Sequence, residues 1–489
     1  MAPQRDGQGA QARSDGRGRG VNDPAETVSG VVAQLRAGQP AWAALPVSSR
    51  VRWLARYRDW LWDNQSRLED LLMQETGKPA TEAGLEIPYV IEAINYHSRR
   101  APRLLADRRP HPHGMLAITK RQLIVQRPYP VVGVITPWNF PLGLSLLDAV
   151  PALLAGCAVV VKPSELTPSA VSAAIAGWAD IGAPRVLDVV CGGREHGAAV
   201  ADSVDFIQFT GSARAGRAIA GVAAERLVPC ALELGGKDAM IVLDDADVSR
   251  AANAAVWGAM ANCGQMCVSV ERVYVESAVY DAFVSQVAAN AAELRSGVDI
   301  GPFTSPAQAA VVQRHLDDAL TRGARALVGG HRSDGPTVLI DTDHDMLCMT
   351  EETFGPLLPV VRVADEDEAV RLANDSRYGL SAVVFSGDRR RAERVARRID
   401  AGSVNINDVF ANLFTLTMPQ GGWKESGLGA RGGSDAVAKF CRPQAIVASR
   451  VAFTRELTWY PYTPLRRAVM RCVSRLIGAR DVRRRFGWR

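Results

Sequence analysis

Apolar positions along the chain fall first into a helical rhythm. Val31 and Leu35, then Val51, Leu54, Ala55, Trp60 and Leu61, recur at i, i+3, i+4 spacing and predict amphipathic helices. Leu68, Leu71 and Leu72 predict a further helix, broken at Gly77-Lys78-Pro79, and Ile87, Ile91 and Ile94 predict another. The rhythm then changes. Residues 115–126 alternate in part, as a strand or hairpin does, and 131–136 is a short β-rich apolar run. Strand-like runs at 158–161, 186–190, 206–209 and 231–234 alternate with Ala- and Leu-rich helical segments. A second such set begins near Met240 and includes 272–275, 359–363 and 382–385. Strand and helix alternating at this spacing predict right-handed βαβ units and a doubly wound parallel sheet, followed by a second α/β domain.

Composition narrows the class. Of 489 residues, 47% are hydrophobic and 22% charged, enough to bury a large core, which excludes wholesale disorder and a disulfide-stapled scaffold. No run approaches the roughly 20 apolar residues of a membrane span, and the first residues lack an apolar signal core, so secretion is not expected. Eight dispersed cysteines fit thiols kept reduced in a cytoplasm. Residues 1–25, rich in Gly, Arg, Gln and Asp, read as a disordered arm. Charge is concentrated at the other end: residues 460–489 hold nine arginines and one acid, so the net +5 leaves the rest of the chain at about −3. The body therefore carries no basic nucleic-acid footprint.

Three segments carry candidate chemistry. Asn262-Cys263-Gly264-Gln265-Met266-Cys267 places a thiol at a glycine-containing turn just before a strand. Cys267 there is either a small buried hydrophobe or a reachable nucleophile. Glu233-Leu234-Gly235-Gly236-Lys237 puts a carboxylate at the end of an apolar strand, either a surface charge or a desolvated general base. Pro137-Trp138-Asn139-Phe140-Pro141 holds one amide between rings and prolines, either a turn residue or an oxyanion donor. Cys263 and the seven histidines complete no metal-ligand spacing, and no metal is expected.

Taken in order, these segments resemble the NAD(P)-dependent aldehyde dehydrogenase superfamily over residues 30–450. The further marks are Lys162-Pro163-Ser164-Glu165, Phe209-Thr210-Gly211-Ser212, Glu351-Glu352-Thr353-Phe354-Gly355-Pro356, Asn405 and Gly421-Gly422. The resemblance implies that Cys267 attacks an aldehyde as its thiolate. Asn139 and the Cys267 main-chain N–H would hold the oxyanion, hydride would pass to nicotinamide, and Glu233 would activate water to release the acid. Relatives that pass the acyl group to coenzyme A typically lack this glutamate, so a free acid is the implied product. Gly211, Ser212 and Gly216 open a helix after a strand, as a phosphate site needs. Lys162 and Glu165 would lie at the adenosine ribose, where the carboxylate repels a 2′-phosphate and favours NAD, with NADP as the second option. Trp138, Glu352 and Phe354 complete the implied cofactor set. Two alternatives stand beside this reading: a thiol-dependent esterase, and a non-catalytic structural relative.

The implied plan is a cofactor domain (26–114 and 128–235), a catalytic domain (236–437) and oligomerisation strands (115–127 and 438–450) serving a homodimer or homotetramer. A basic extension (451–489) follows. Two departures from the family pattern are Arg127-Pro128-Tyr129-Pro130 and the sequence Ser426-Gly427-Leu428-Gly429-Ala430-Arg431, whose arginine falls one place later than usual. Neither is expected to touch the chemistry. In the extension, Leu465, Ala468, Val469, Cys472, Val473, Leu476 and Ile477 form one helical stripe flanked by arginines and preceded by Trp459-Tyr460-Pro461-Tyr462. Such a helix either packs on protein or lies in the plane of an anionic membrane. The latter would suit an otherwise cytoplasmic enzyme acting on apolar aldehydes. A semialdehyde substrate, held by one of the many arginines, is the other option.

Overall fold

The computed structural model describes residues 23–114, 116–331, 335–451, 453–478 and 483. Four long helices lead: Pro24–Ala44, Val47–Asp63, Gln65–Thr76 and Glu86–Leu104. Their apolar stripes are buried, for instance Leu54, Tyr57 and Leu61 on the second and Ile87, Val90 and Ile94 on the fourth. Asp23 caps the first helix by accepting the Ala25 N–H. Helix therefore begins inside the arm expected over 1–25, of which 1–22 lie outside the described residues.

The first sheet has six strands in the order Gly427–Leu428, Cys230–Glu233, Phe206–Thr210, Val131–Ile135, Ala158–Lys162 and Leu187–Val189. All pair in parallel except the first. Residues of the central strands are buried on both faces, so they read as continuous apolar runs. From Val131–Ile135 the chain builds outward on one side, then returns to build on the other. That reversal opens a crevice at the strands' carboxyl ends, where the segment bearing Asn139 emerges.

The second sheet orders Ser403–Ile406, Ser381–Phe385, Asp238–Val242, Val270–Glu276, Leu357–Val363, Thr337–Ile340 and Arg325–Val328, parallel except at the last strand. Separate apolar clusters around Val273 and Tyr274 form its core. The segment 427–437, read as the end of the catalytic domain, and the first residues of the strand expected over 438–450 return to the first unit. Gly427–Leu428 joins its sheet, and Val437, Phe440 and Cys441 enter its core.

Lys120–Pro128 pairs antiparallel with Cys441–Ser449 over nine residues. No hairpin forms between 116 and 127; alternation marked a strand there but could not name a partner more than 300 positions away. Met115 lies outside the described residues. Beyond this ribbon, Pro464–Gly478 is helical, and among the described residues none of its stripe is buried against the rest of the subunit. Among the described residues no helix is long and apolar enough to cross a membrane.

Candidate active site

The helix Val248–Met260 ends at a tight turn, Ala261–Gly264, in which Asn262, Cys263 and Gly264 all adopt positive φ (51°, 57° and 67°). Such a run costs about 1–3 kcal/mol at each non-glycine position and persists only where surroundings hold it. Here they do. Glu82 accepts the Asn262 N–H at 2.8 Å, the Gln265 side chain donates to the Asn262 carbonyl at 2.9 Å, and Gln265 Oε1 accepts from Thr304. At Gly264 a Cβ would strike the Gly355 backbone, so only glycine fits. The turn delivers Cys267, partly exposed, ahead of the strand Val270–Glu276.

Asn139 is tied to the same turn. Its Nδ2 donates to the Gln265 carbonyl at 2.8 Å, and its own carbonyl accepts from Lys78 Nζ at 2.9 Å and from Asn262 Nδ2 at 3.2 Å. Lys78 in turn pairs with Glu86 at 2.8 Å, both side chains buried, and Glu86 accepts the Gly143 N–H. Asn139 is thus clamped from both sides, with one amide N–H uncommitted. The Lys78–Glu86 clamp escaped sequence reading, which took Gly77-Lys78-Pro79 only as a helix break.

Glu233 ends the strand Cys230–Glu233 and is buried, and its Oε1 has no hydrogen-bond partner. Burial pushes it up to about 7, against the opposing pull of Arg431 and Lys439. The expectation that Arg431 stands away from the chemistry is overturned. Its guanidinium makes a bidentate pair with buried Asp148 and donates to Thr210, the strand neighbour of Glu233.

Two cavities meet here. One is lined by Trp138, Asn139, Gly211, Ser212, Glu233, Cys267, Glu352 and Phe354. The other is walled mainly by Tyr89, Phe140, Leu147, Trp257, Met266, Val268, Phe410, Leu413 and Phe414. Asn139, Leu144 and Cys267 line both. Burial, reinforced by the Asp238, Glu352 and Glu233 carboxylates, pushes Cys267 up to about 12.

The first cavity has the chemistry of a dinucleotide cleft. Ser212 caps the helix Ala213–Arg226, whose amino end opens beside the cavity. A Cβ on Gly216 would meet Leu234 at 2.5 Å, so glycine lets this helix sit close to the strand-end segment. Trp138 and Phe354 meet edge to face at 5.5 Å. Glu352 accepts the Gly236 N–H, and burial holds it up at about 8. Lys162 and Glu165 lie off the lined cavity and pair at 3.2 Å, with the lysine buried and the glutamate exposed. Those residues fit a nicotinamide dinucleotide. Among the described residues no cluster of three His, Cys, Asp or Glu could hold a metal.

Residues 19–446 match the family model described as the aldehyde dehydrogenase family. The 4,4'-diapolycopene aldehyde oxidase of Methylomonas sp is 42% identical over 435 residues, covering 86% of this chain and 82% of that one. A Mycolicibacterium smegmatis protein with the provisional name succinate-semialdehyde dehydrogenase, NADP(+), is 37% identical, covering 92% of this chain and 91% of its own length. The structure of a Mycobacterium tuberculosis aldehyde dehydrogenase complexed with NAD+ superposes with a TM-score of 0.82 at 32% identity, over 86% of this chain and 90% of that one. With the thiol, amide and carboxylate converging at one cleft and this similarity running through nearly the whole length, the chain belongs to the aldehyde dehydrogenase family and is an NAD(P)-dependent enzyme oxidising aldehydes to acids.

Proposed function

We propose that the substrates are apolar aldehydes, released as free carboxylic acids, and that NAD is the preferred acceptor. The observation that carries this reading is the apolar cavity meeting the cofactor cleft at Cys267. Among the described residues the only arginine lining it, Arg431, is already paired with Asp148, so none of them offers a free guanidinium to a substrate carboxylate. This argues against a semialdehyde, and similarity to a protein named a diapolycopene aldehyde oxidase agrees with it. Exposed Glu165 beside Lys162 supports NAD over NADP, since a 2′-phosphate there would meet a carboxylate.

Cys267, deprotonated as substrate is bound, adds to the carbonyl. The free N–H of Asn139 and the Cys267 main-chain N–H hold the oxyanion, a charge present only after attack. The bound dinucleotide supplies the hydride acceptor. Glu233 then takes a proton from water as it attacks the thioester, and the acid leaves with the thiol restored. Trp138, Gly211, Ser212, Gly216, Lys162, Glu165, Glu352 and Phe354 serve to hold the dinucleotide.

The nine-residue ribbon leaves Ile446 and Val447 exposed on a strand exposed along most of its length, which supports a homodimer or dimer of dimers built on that edge. The helix Pro464–Gly478 presents Leu465, Val469 and Ile477 to solvent, beside Arg467, Arg471 and Arg475 and behind exposed Trp459, Tyr460 and Tyr462. Apolar area and cationic charge on one exposed helix suit an anionic lipid surface, on which this otherwise cytoplasmic enzyme would dock. All eight cysteines lie outside disulfides, in keeping with that compartment.

Unbranched aldehydes of graded length, followed by NADH absorbance, test the substrate class. At about 0.8 kcal/mol per buried methylene, kcat/KM should rise about fourfold per carbon until the cavity fills. Preference for short carboxylate-bearing aldehydes would overturn the apolar reading; ester hydrolysis without NADH formation would overturn the redox one.

A further inference from the structure

We infer that Arg431, anchored by Asp148, is a positioning residue for the general base, a cation fixed across the strand pair that sets the pH at which Glu233 works. The inference rests on the reading of Glu233 as that base. Gly427–Leu428 pairs antiparallel with Cys230–Glu233, Gly427 opposite Glu233, so the chain just beyond folds back over the carboxylate. Arg431 Nε and Nη2 reach Asp148 Oδ1 and Oδ2 at 2.9 and 2.6 Å, and Nη2 reaches Thr210 Oγ1 at 2.9 Å. Thr210 lies directly across the strand pair from Glu233. Three hydrogen bonds therefore fix the guanidinium beside the base, with no freedom to follow the substrate.

Charge balance explains why this arrangement keeps the base usable. Asp148 is buried, and Lys439, reaching Gln208 Oε1 at 2.9 Å and the Ala430 carbonyl at 3.0 Å, places a second cation in the same region. Asp148 and Arg431 cancel, leaving Lys439 as the surplus. The set is neutral only when Glu233 is ionised, and a buried set with net charge is the costlier state. Arg431 and Lys439 pull the Glu233 carboxyl down and Asp148 pushes it up. Cys267 faces it across the cleft, while Tyr89 and His97 flank the Asp148 pair. Arg431 lines the apolar cavity and Glu233 the cofactor cleft, so the base is backed from the substrate side.

The test is the pH profile of steady-state kcat in single variants. Arg431→Met should move the acidic midpoint from near 7 upward by about one unit, lowering kcat at pH 7 about fivefold while KM for the aldehyde changes less. Asp148→Asn should move the midpoint the other way, because it removes the opposing anion. Arg431→Lys should fall between Arg431→Met and the parent. The double variant Asp148→Asn/Arg431→Met, which leaves no unpaired ion should a single variant fail to fold, should return the midpoint towards the parent value. Loss of activity with midpoints unmoved in all of these would overturn the inference and leave the pair a structural tie. Glu233→Gln separates this failure from that of the underlying reading: retained steady-state turnover in that variant would show that Glu233 is not the base at all.

Discussion

At the scale of single residues, the site is built from groups whose charged forms burial penalises. Cys267 is kept protonated by burial and by three carboxylates, and Glu233 sits near neutrality, poised between burial and two cations. The thiolate, which is the nucleophilic form, is thus disfavoured by these surroundings. Glu352 is among the carboxylates raising it. Removing that charge favours the thiolate, so Glu352→Gln should bring the midpoint of Cys267 alkylation by iodoacetamide below about 12, speeding the reaction at a fixed pH above about 8, where Glu352 is ionised, and leaving it nearly unchanged at lower pH. An unshifted alkylation profile would contradict the assignment. For Glu233 the sign runs the other way. The base works ionised, its carboxyl lies near 7, and hydrolysis of the thioester should fall about tenfold per pH unit well below that value. Pre-steady-state NADH traces at pH 6 and 8 would check it: an acid-slowed second phase is expected after the burst. Cys267, Glu233 and Asn139 could each be picked out from the sequence because each sits in a short contiguous segment. Lys78, Asp148 and Arg431 could not, since each acts on a residue remote in the chain.

Elements position these groups. Strands of the first sheet end at the crevice and hand over Asn139, Ser212 and Glu233, while a left-handed turn from the second unit hands over Cys267. The turn is the least forgiving piece. Gly264 has φ of 67° and its missing Cβ makes room for the Gly355 backbone. Gly264→Ala should therefore cost at least about 1–3 kcal/mol in urea unfolding and reduce kcat by more than its effect on stability, because Gln265 links the turn to Asn139. A variant of parent stability and activity would show that the turn relaxes freely. Helix and strand periods were legible along most of the chain because buried stripes repeat every three to four residues and sheet cores are continuous apolar runs. For the paired strand Lys120–Pro128, alternation marked its existence, while its grouping with the strand near 438–450 came from the family resemblance and not from the alternation.

For the whole molecule, the question is what lies against its exposed surfaces. The terminal helix carries its apolar stripe in the open, with Leu465 73% and Tyr460 75% exposed, and arginines alongside. Deleting residues 459–489 should abolish co-sedimentation with phosphatidylglycerol-containing vesicles. kcat on a water-soluble aldehyde should be unchanged, because none of the cavity-lining residues lies there. Binding by the full chain should weaken as salt rises, as arginine–lipid attraction is screened. Equal sedimentation with and without the segment, or none by the full chain, would leave the helix to a protein partner.

The sequence by itself determined most of the elements, the family and the three side chains proposed to react. These rest on local information: periodicity within a helical turn or a pleat, and short motifs in which neighbours along the chain are also neighbours at the site. Only the tertiary structure decided that Arg431 reaches Asp148, 283 positions away, that burial pushes the Cys267 thiol up, that one cavity at Cys267 is apolar, and that no residue of the terminal stripe is buried among the described residues. Desolvation and charge balance are sums over everything that surrounds a group, and those surroundings exist only once distant segments have been brought together.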